Sequence, residues 1–224
     1  MNRTVAALYV EKNGVYSTIR DVCLWTKEHD ARFYNGPWPV VAHPPCHLWV
    51  NLAAVNWARH QRQLPAWYPG GSDGGCFAAA LAAVRRFGGV LEHPAYSHAW
   101  EANQLSRPSR GCWSRCGPHG WVTEVSQSAY GHRARKRTWL YVVGAKPPDL
   151  DWRDVIGSHQ ISRFDLCKPV LKGREASATP VRFAKLLLQI ARRKPNFAMG
   201  PMGPASSPAQ GRWAPMGRGS VGDP

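Results

Sequence analysis

The stretch Pro39-Val-Val-Ala-His-Pro-Pro-Cys46 decides the fold. Val40, Val41 and Ala42 form a short, uninterrupted apolar run, which predicts a strand buried on both faces. The Pro44-Pro45 pair neither continues a strand ladder nor starts a helix, so the chain must turn there. Cys46 follows the turn. A cysteine at the C-terminal end of a central strand lies where open α/β sheets bind ligands. That position suits a nucleophile, and a packed structural cysteine is the competing reading.

Working outward, strand-like and helix-like segments alternate. Ala6–Val10 reads as a strand and Tyr16–His29 as a helix, with Ile19, Val22, Cys23 and Trp25 as its apolar positions. Trp38–Ala42 is the next strand, Leu48 to Ala58 a further helix, and Leu64–Gly75 a Pro-, Gly- and Trp-rich loop. Cys76–Phe87 is an Ala-rich helix stopped by Gly88-Gly89. Val90-Leu91 begins a strand that runs into Glu92-His93-Pro94, Trp139–Val143 is another strand, and Pro180–Arg193 closes the series as an amphipathic helix. This order predicts an α/β fold, a mostly parallel sheet with helices on both faces. Residues 1–194 read as the folded domain, and 95–129 as a short loop region rich in Trp, Arg, Cys and Pro. Residues 195–224 turn to Gly, Pro, Ser and Met, a composition that cannot bury enough apolar surface to order itself, and predict a disordered tail.

Composition narrows the partners. Twenty-nine Lys and Arg against fourteen Asp and Glu give a net charge of +15, which favours a polyanion, most simply nucleic acid. Eleven tryptophans add possible stacking surfaces. No apolar run approaches the roughly 20 residues of a membrane span. The opening Met1-Asn-Arg-Thr leads directly into Val5–Val10, too short for a secretory signal, and six scattered cysteines do not make a disulfide framework. A reducing, cytoplasmic setting is expected.

Four motifs stand in order: Pro44-Pro45-Cys46 after a strand, Leu91-Glu92-His93-Pro94 after a helix and strand, Tyr130-Gly-His-Arg-Ala-Arg-Lys-Arg137 before a strand, and Glu175-Ala-Ser-Ala-Thr-Pro180 opening the last helix. Together, over Val40 to Ile190, they resemble the DNA (cytosine-5) methyltransferase family. That family has a Pro-Pro-Cys nucleophile loop, a Glu-Asn-Val or Glu-Asn-Pro acid loop, a Tyr-Gly…Gln-x-Arg-x-Arg segment, and a Gly-Asn-x-Val-x-Pro segment opening a final helix. The resemblance implies a reduced, Rossmann-like methyltransferase fold acting on DNA with S-adenosylmethionine as cofactor. It implies that Cys46 adds covalently to C6 of a flipped cytosine and that Glu92 assists at N3. Arg135 and Arg137 match the arginine pair that holds the ring oxygen and the active-site loops, with Arg133 the alternative frame. His43 and His47 are the nearest groups to lower the thiol pKa.

The chain also departs from the family. The first strand runs into Glu11-Lys12-Asn13-Gly14 without the Phe-x-Gly-x-Gly loop, so Glu11, Asn13 and Gly14 are the candidates for a reduced cofactor site. Only 45 residues precede Cys46, room for about one βαβ unit of roughly 30 residues. His93 replaces the asparagine, the arginine segment lacks its glutamine, and Arg174-Glu175 stands in place of Gly-Asn. Two alternatives follow: cysteine-dependent pyrimidine modification without S-adenosylmethionine, and a non-catalytic DNA-binding relative. Arg107, Arg110, Arg115, Trp113 and Trp121 suit backbone contacts and stacking. Cys112-x3-Cys116-x2-His119, with Cys76 or His98, supplies candidate zinc ligands, but the spacing departs from a Cys-x2-Cys knuckle and free thiols are preferred, so no metal is expected.

Overall fold

The computed structural model describes residues 3–50, 73–144, 146–161 and 167–193. Seven strands form one sheet in the order β2-β1-β3-β4-β7-β6-β5. The strands are β1 (Val5–Leu8), β2 (Val22–Trp25), β3 (Val40–Ala42), β4 (Gly89–Pro94), β5 (Ser114–Cys116), β6 (Gly120–Ser126) and β7 (Arg137–Val143). The helices are α1 (Cys76–Phe87), α2 (His98–Ala102), α3 (Gly173–Ser177) and α4 (Val181–Arg192).

Strands β1 to β4 pair in parallel, whereas β4 with β7, β7 with β6 and β6 with β5 pair antiparallel. The sheet is therefore mixed, and the expected mostly parallel sheet is corrected to a half-parallel one. The antiparallel half arises from 95–129, which reads as a loop in the sequence and instead carries α2, β5 and β6. Its Trp121-Val-Thr-Glu-Val125 run is β-branched and aromatic, and it lies against β7 through full register from Gly120↔Val143 to Ser126↔Arg137.

The expected helix over Tyr16–His29 is also corrected. A single 3-10 turn covers Val15–Thr18, and Val22–Trp25 is β2, paired with β1. Asp21 sits at φ 59, a left-handed conformation that a helix interior does not tolerate. Residues 22–25 (Val-Cys-Leu-Trp) then suit a pleated edge better than a helix. The expected helix beyond Val50, the Pro/Gly/Trp-rich loop to Ser72 and the tail 195–224 lie outside the described residues.

The Ala-rich helix lies where its pattern predicts. Asp73 caps α1 from outside, its carboxylate accepting from the backbone N–H of Gly75 (3.0 Å) and Phe77 (2.7 Å). Gly88, at φ 76, ends the helix. Gly89 then lets β4 approach β3, since a Cβ there would collide with the Val40 backbone.

Two cores sandwich the sheet, and strand alternation divides them. Ala6, Leu8, Val40, Ala42, Leu91, Trp139 and Tyr141 pack with Phe77, Ala80, Leu81 and Val84 of α1. Val5, Ala7, Val41, Val90, Leu140 and Val142 pack with Phe183, Ala184, Leu187 and Leu188 of α4. Helices thus cover both faces, one from each side of the period-2 pleat.

Candidate functional site

The chain leaves β1 to form β2 on one side, then returns to form β3 on the other. This reversal creates a switch point at the carboxyl ends of β1 and β3, where open α/β sheets gather ligand-binding loops. His43 to Cys46 exit β3 there, and Tyr16 arrives from the β1–β2 connection. Glu92 lies near the end of β4, next to β3.

The side chains that meet at this edge are fixed by pleat parity. Val41 and Val90 face α4, so His43 and Glu92, two residues further along, project on the same side. In β7, Leu140 and Val142 face α4, which puts Thr138 and Lys136 on that side too. Glu92 is buried and its two oxygens are separately engaged. His43 Nδ1 lies 2.8 Å from Oε2, and the Gln127 side-chain amide donates to Oε1 at 3.0 Å and to Thr138 Oγ1 at 2.9 Å. The Tyr16 hydroxyl is 2.7 Å from His43 Nε2. A continuous polar chain therefore runs Tyr16–His43–Glu92–Gln127–Thr138, crossing from the parallel to the antiparallel half of the sheet.

Charge follows from these contacts. Burial pushes the Glu92 carboxyl up, but the His43 hydrogen bond and the Lys136 ammonium outweigh it and hold the group near 2. Glu92 is thus an anion that accepts hydrogen bonds, and Nδ1 of His43 carries the proton between them. The Cys46 thiol is half-buried. Burial raises its pKa first, the Glu92 charge raises it further, and Lys136 pulls the other way. The free site holds Cys46 as a thiol facing one anion and one cation, rather than as the ready thiolate that a basic loop predicts.

Cys46, Glu92 and His43 share this site, while His47 is exposed on the turn beyond. Arg135 and Arg137 do not join it. Their parity places them across the sheet edge, where Arg135 Nε donates to Asp154 (2.8 Å) and Arg137 Nε donates to the buried Glu124 (2.7 Å). Arg133 pairs with Glu175 at 3.1 Å. The cation that faces the thiol is Lys136, between them in sequence, and its ammonium also donates to the carbonyls of Ser177 (2.9 Å) and Ala178 (3.2 Å) at the end of α3. His93 likewise faces away. Its ring packs edge-on against Phe77 with centroids 5.0 Å apart, and burial holds it neutral, with a pKa near 4.

Tyr16, Gln127, Lys136 and Thr138 are site residues that the sequence reading does not name. For Lys136 a signal is present in the alternation with Leu140 and Val142. Gln127 and Tyr16 arrive from outside the strands and carry none.

Glu11, Asn13 and Gly14 form a turn just past β1. The Gly14 N–H donates to the Glu11 carbonyl at 3.0 Å, and the Glu11 carboxylate is exposed, 3.9 Å from Arg174. A Cβ on Gly14 would stand 3.1 Å from the Glu11 carbonyl, so the turn closes on itself rather than opening a cradle. Backbone leaves β1 through Tyr9 at φ 60. These residues do not fit the glycine-lined seat that S-adenosylmethionine would need. Among the candidate zinc ligands, Cys112 is exposed, and Cys116 is buried and accepts from the Ser106 N–H at 3.3 Å. Among the described residues no group of three or more His, Cys, Asp or Glu side chains is placed to hold a metal ion. No helix among them is long and apolar enough to cross a membrane.

No protein-family model, curated protein or solved structure matches this chain.

Proposed function

We propose that this chain is a cytosine C5-modifying enzyme of the methyltransferase type, acting on DNA through Cys46 with the target base flipped out of the duplex. The observation that carries the proposal is the convergence of Cys46, Glu92, His43 and Lys136 at the switch point of the sheet, in a half-buried setting with one anion and one cation on the thiol. Such a site can do one thing well. As Sγ bonds to C6, the C5–C6 double bond opens and the thiol proton must leave. His43, its ring held by the Glu92 anion, is the base that accepts it and passes it towards ring N3, while Lys136 offsets charge on the ring oxygen. The product is a C5 carbon ready to attack an electrophile. In the family the electrophile is the methyl group of S-adenosylmethionine.

A second reading, modification by the same cysteine without S-adenosylmethionine, is favoured by the closed Glu11–Gly14 turn. Both are tested by covalent trapping on DNA carrying 5-fluorocytosine, resolved on a denaturing gel. A cofactor-dependent adduct that disappears in Cys46→Ser supports the methyltransferase. An adduct independent of S-adenosylmethionine supports the second reading. DNA binding with no adduct under either condition refutes both and leaves a binding protein.

A further inference from the structure

Across the sheet edge from Cys46, a cluster of arginines carries more positive charge than its carboxylates cancel. Arg110, Arg135 and Arg137 share two acids, Glu124 and Asp154. Glu124 is committed to the fold: it is buried, binds Arg137, and accepts from the Trp139 indole N–H at 2.9 Å. Asp154 is different. It is partly exposed, and the guanidinium groups of Arg110 and Arg135 both close on its Oδ2 atom, from two separate segments of the chain. Its backbone stretch has no regular structure and is pinned on either side, where the Asp151 N–H donates to the Tyr130 hydroxyl at 2.8 Å and the Ser128 hydroxyl donates to the Val155 carbonyl at 2.6 Å. A hollow lined by Arg110, Glu124, Ser126, Arg137, Trp152 and Asp154 opens beside it.

We propose that Arg110 and Arg135 form a phosphodiester-binding site beside the catalytic edge, and that Asp154 occupies it in the free protein as a stand-in for phosphate. The reasoning is stoichiometric. Arg135 grips both oxygens of Asp154, with Nε on Oδ1 at 2.8 Å, so Arg110 has to share Oδ2, whereas a phosphate offers separate oxygens to each guanidinium. The location supports it. Arg135 and Arg137 flank Lys136, so a strand whose base reaches Cys46 has its backbone at this cluster. Beside it, Tyr96 is held at φ 64 with its ring about half exposed, and the Arg137 and Arg107 guanidinium carbons lie 4.7 and 5.3 Å from the ring centroid. Arg107 has no carboxylate partner among the described residues.

This inference rests on nucleic acid being the partner, and its test is separated from the chemistry by using Cys46→Ser protein throughout. The measurement is fluorescence anisotropy of a labelled DNA duplex over a salt series. Replacing both Arg110 and Arg135 by Ala should reduce the slope of log affinity against log salt by about 2, one for each lost phosphate contact. Lys27→Ala, past the opposite edge strand β2, should change it by no more than a single non-specific charge does. Asp154→Asn should bind about two- to fivefold tighter, the scale of an exposed ion pair removed from competition. A gain of this kind cannot come from misfolding. An unchanged slope in the double variant, or Asp154→Asn binding no tighter than its parent, overturns the proposal whatever the trapping experiment gives.

Discussion

Glu92→Gln should make Cys46 more reactive, although the family resemblance casts Glu92 as the helper of that cysteine. In the free protein the thiol is raised by burial and then by the Glu92 charge. The glutamine keeps the shape and removes the charge. Removing a negative charge that raises the thiol increases the thiolate population at neutral pH. Thiolate nucleophilicity falls with the pKa by only about half as much on a logarithmic scale, so the net effect is faster alkylation at neutral pH. The assay is iodoacetamide modification followed by peptide mass mapping, which separates Cys46 from the exposed Cys112 and Cys167. Circular dichroism confirms that the variant is folded. Gln127→Leu serves as the control, because it disturbs the same carboxylate without cancelling its charge. If folded Glu92→Gln protein alkylates Cys46 no faster than the parent, the carboxylate does not act on the thiol and the electrostatic account of the site fails. On the proposed mechanism, trapping of 5-fluorocytosine should move the other way and be lost, since addition to the ring then needs the His43 base that the Glu92 anion holds.

Lys136→Met should slow Cys46 alkylation, opposite in sign to Glu92→Gln, because it removes the one cation that draws the thiol down; unchanged or faster alkylation would place the ammonium elsewhere. His93→Asn should flatten the acid limb of the stability curve. The folded ring has its pKa lowered from 6.5 to about 4, so the unfolded chain gains a proton that the native state refuses, and stability falls by about 3 kcal/mol as pH drops from 6.5 to 4. Urea unfolding at a series of pH values measures this, and an equal fall in the variant would assign the acid limb to other groups.

The readable parts of the fold are those whose pattern and punctuation agree. The α1 helix has an apolar stripe, a capping aspartate and a glycine stop, and its ends fall where those signals set them. α4 is legible from its apolar stripe and the proline that precedes it, with no side-chain cap and no glycine stop. The stretch from Tyr16 to His29 misleads because Ile19, Val22, Cys23 and Trp25 are spaced for a helix face, while Asp21 and the β-branched Val22 oppose one. Backbone conformation at a single residue decides between them. The β5–β6 hairpin is hidden by its composition. Glu124 and the arginines around it read as solvated loop, yet Glu124 is buried because Arg110, Arg137 and Trp139 supply its partners from other segments. No local pattern announces a buried charge whose compensation is distant in sequence.

The site shows the same division. Cys46 and Glu92 are legible because one follows a buried strand through a proline turn, the other lies in the last half of a buried strand, and each carries its own chemical signature. The cation is different: motif spacing points to Arg133, Arg135 or Arg137 and passes over Lys136, because it counts residues without regard to which side of a strand they face. Once Glu92 pairs with Leu140 across β4 and β7, parity sends the even-numbered residues of β7, and Lys136 just before it, to the Glu92 side of the sheet and the odd-numbered ones to the far side. The consequence is chemical as well as geometric. On the proposed function, Arg135 and its neighbour Arg110 are free of the ring to hold the backbone of a bound strand, and the base meets a lysine, a compact charge on a flexible stem. On the proposed function, holding the strand and activating the base are separated across the thickness of one sheet, and the two halves can be broken independently by Arg135→Ala and Lys136→Met.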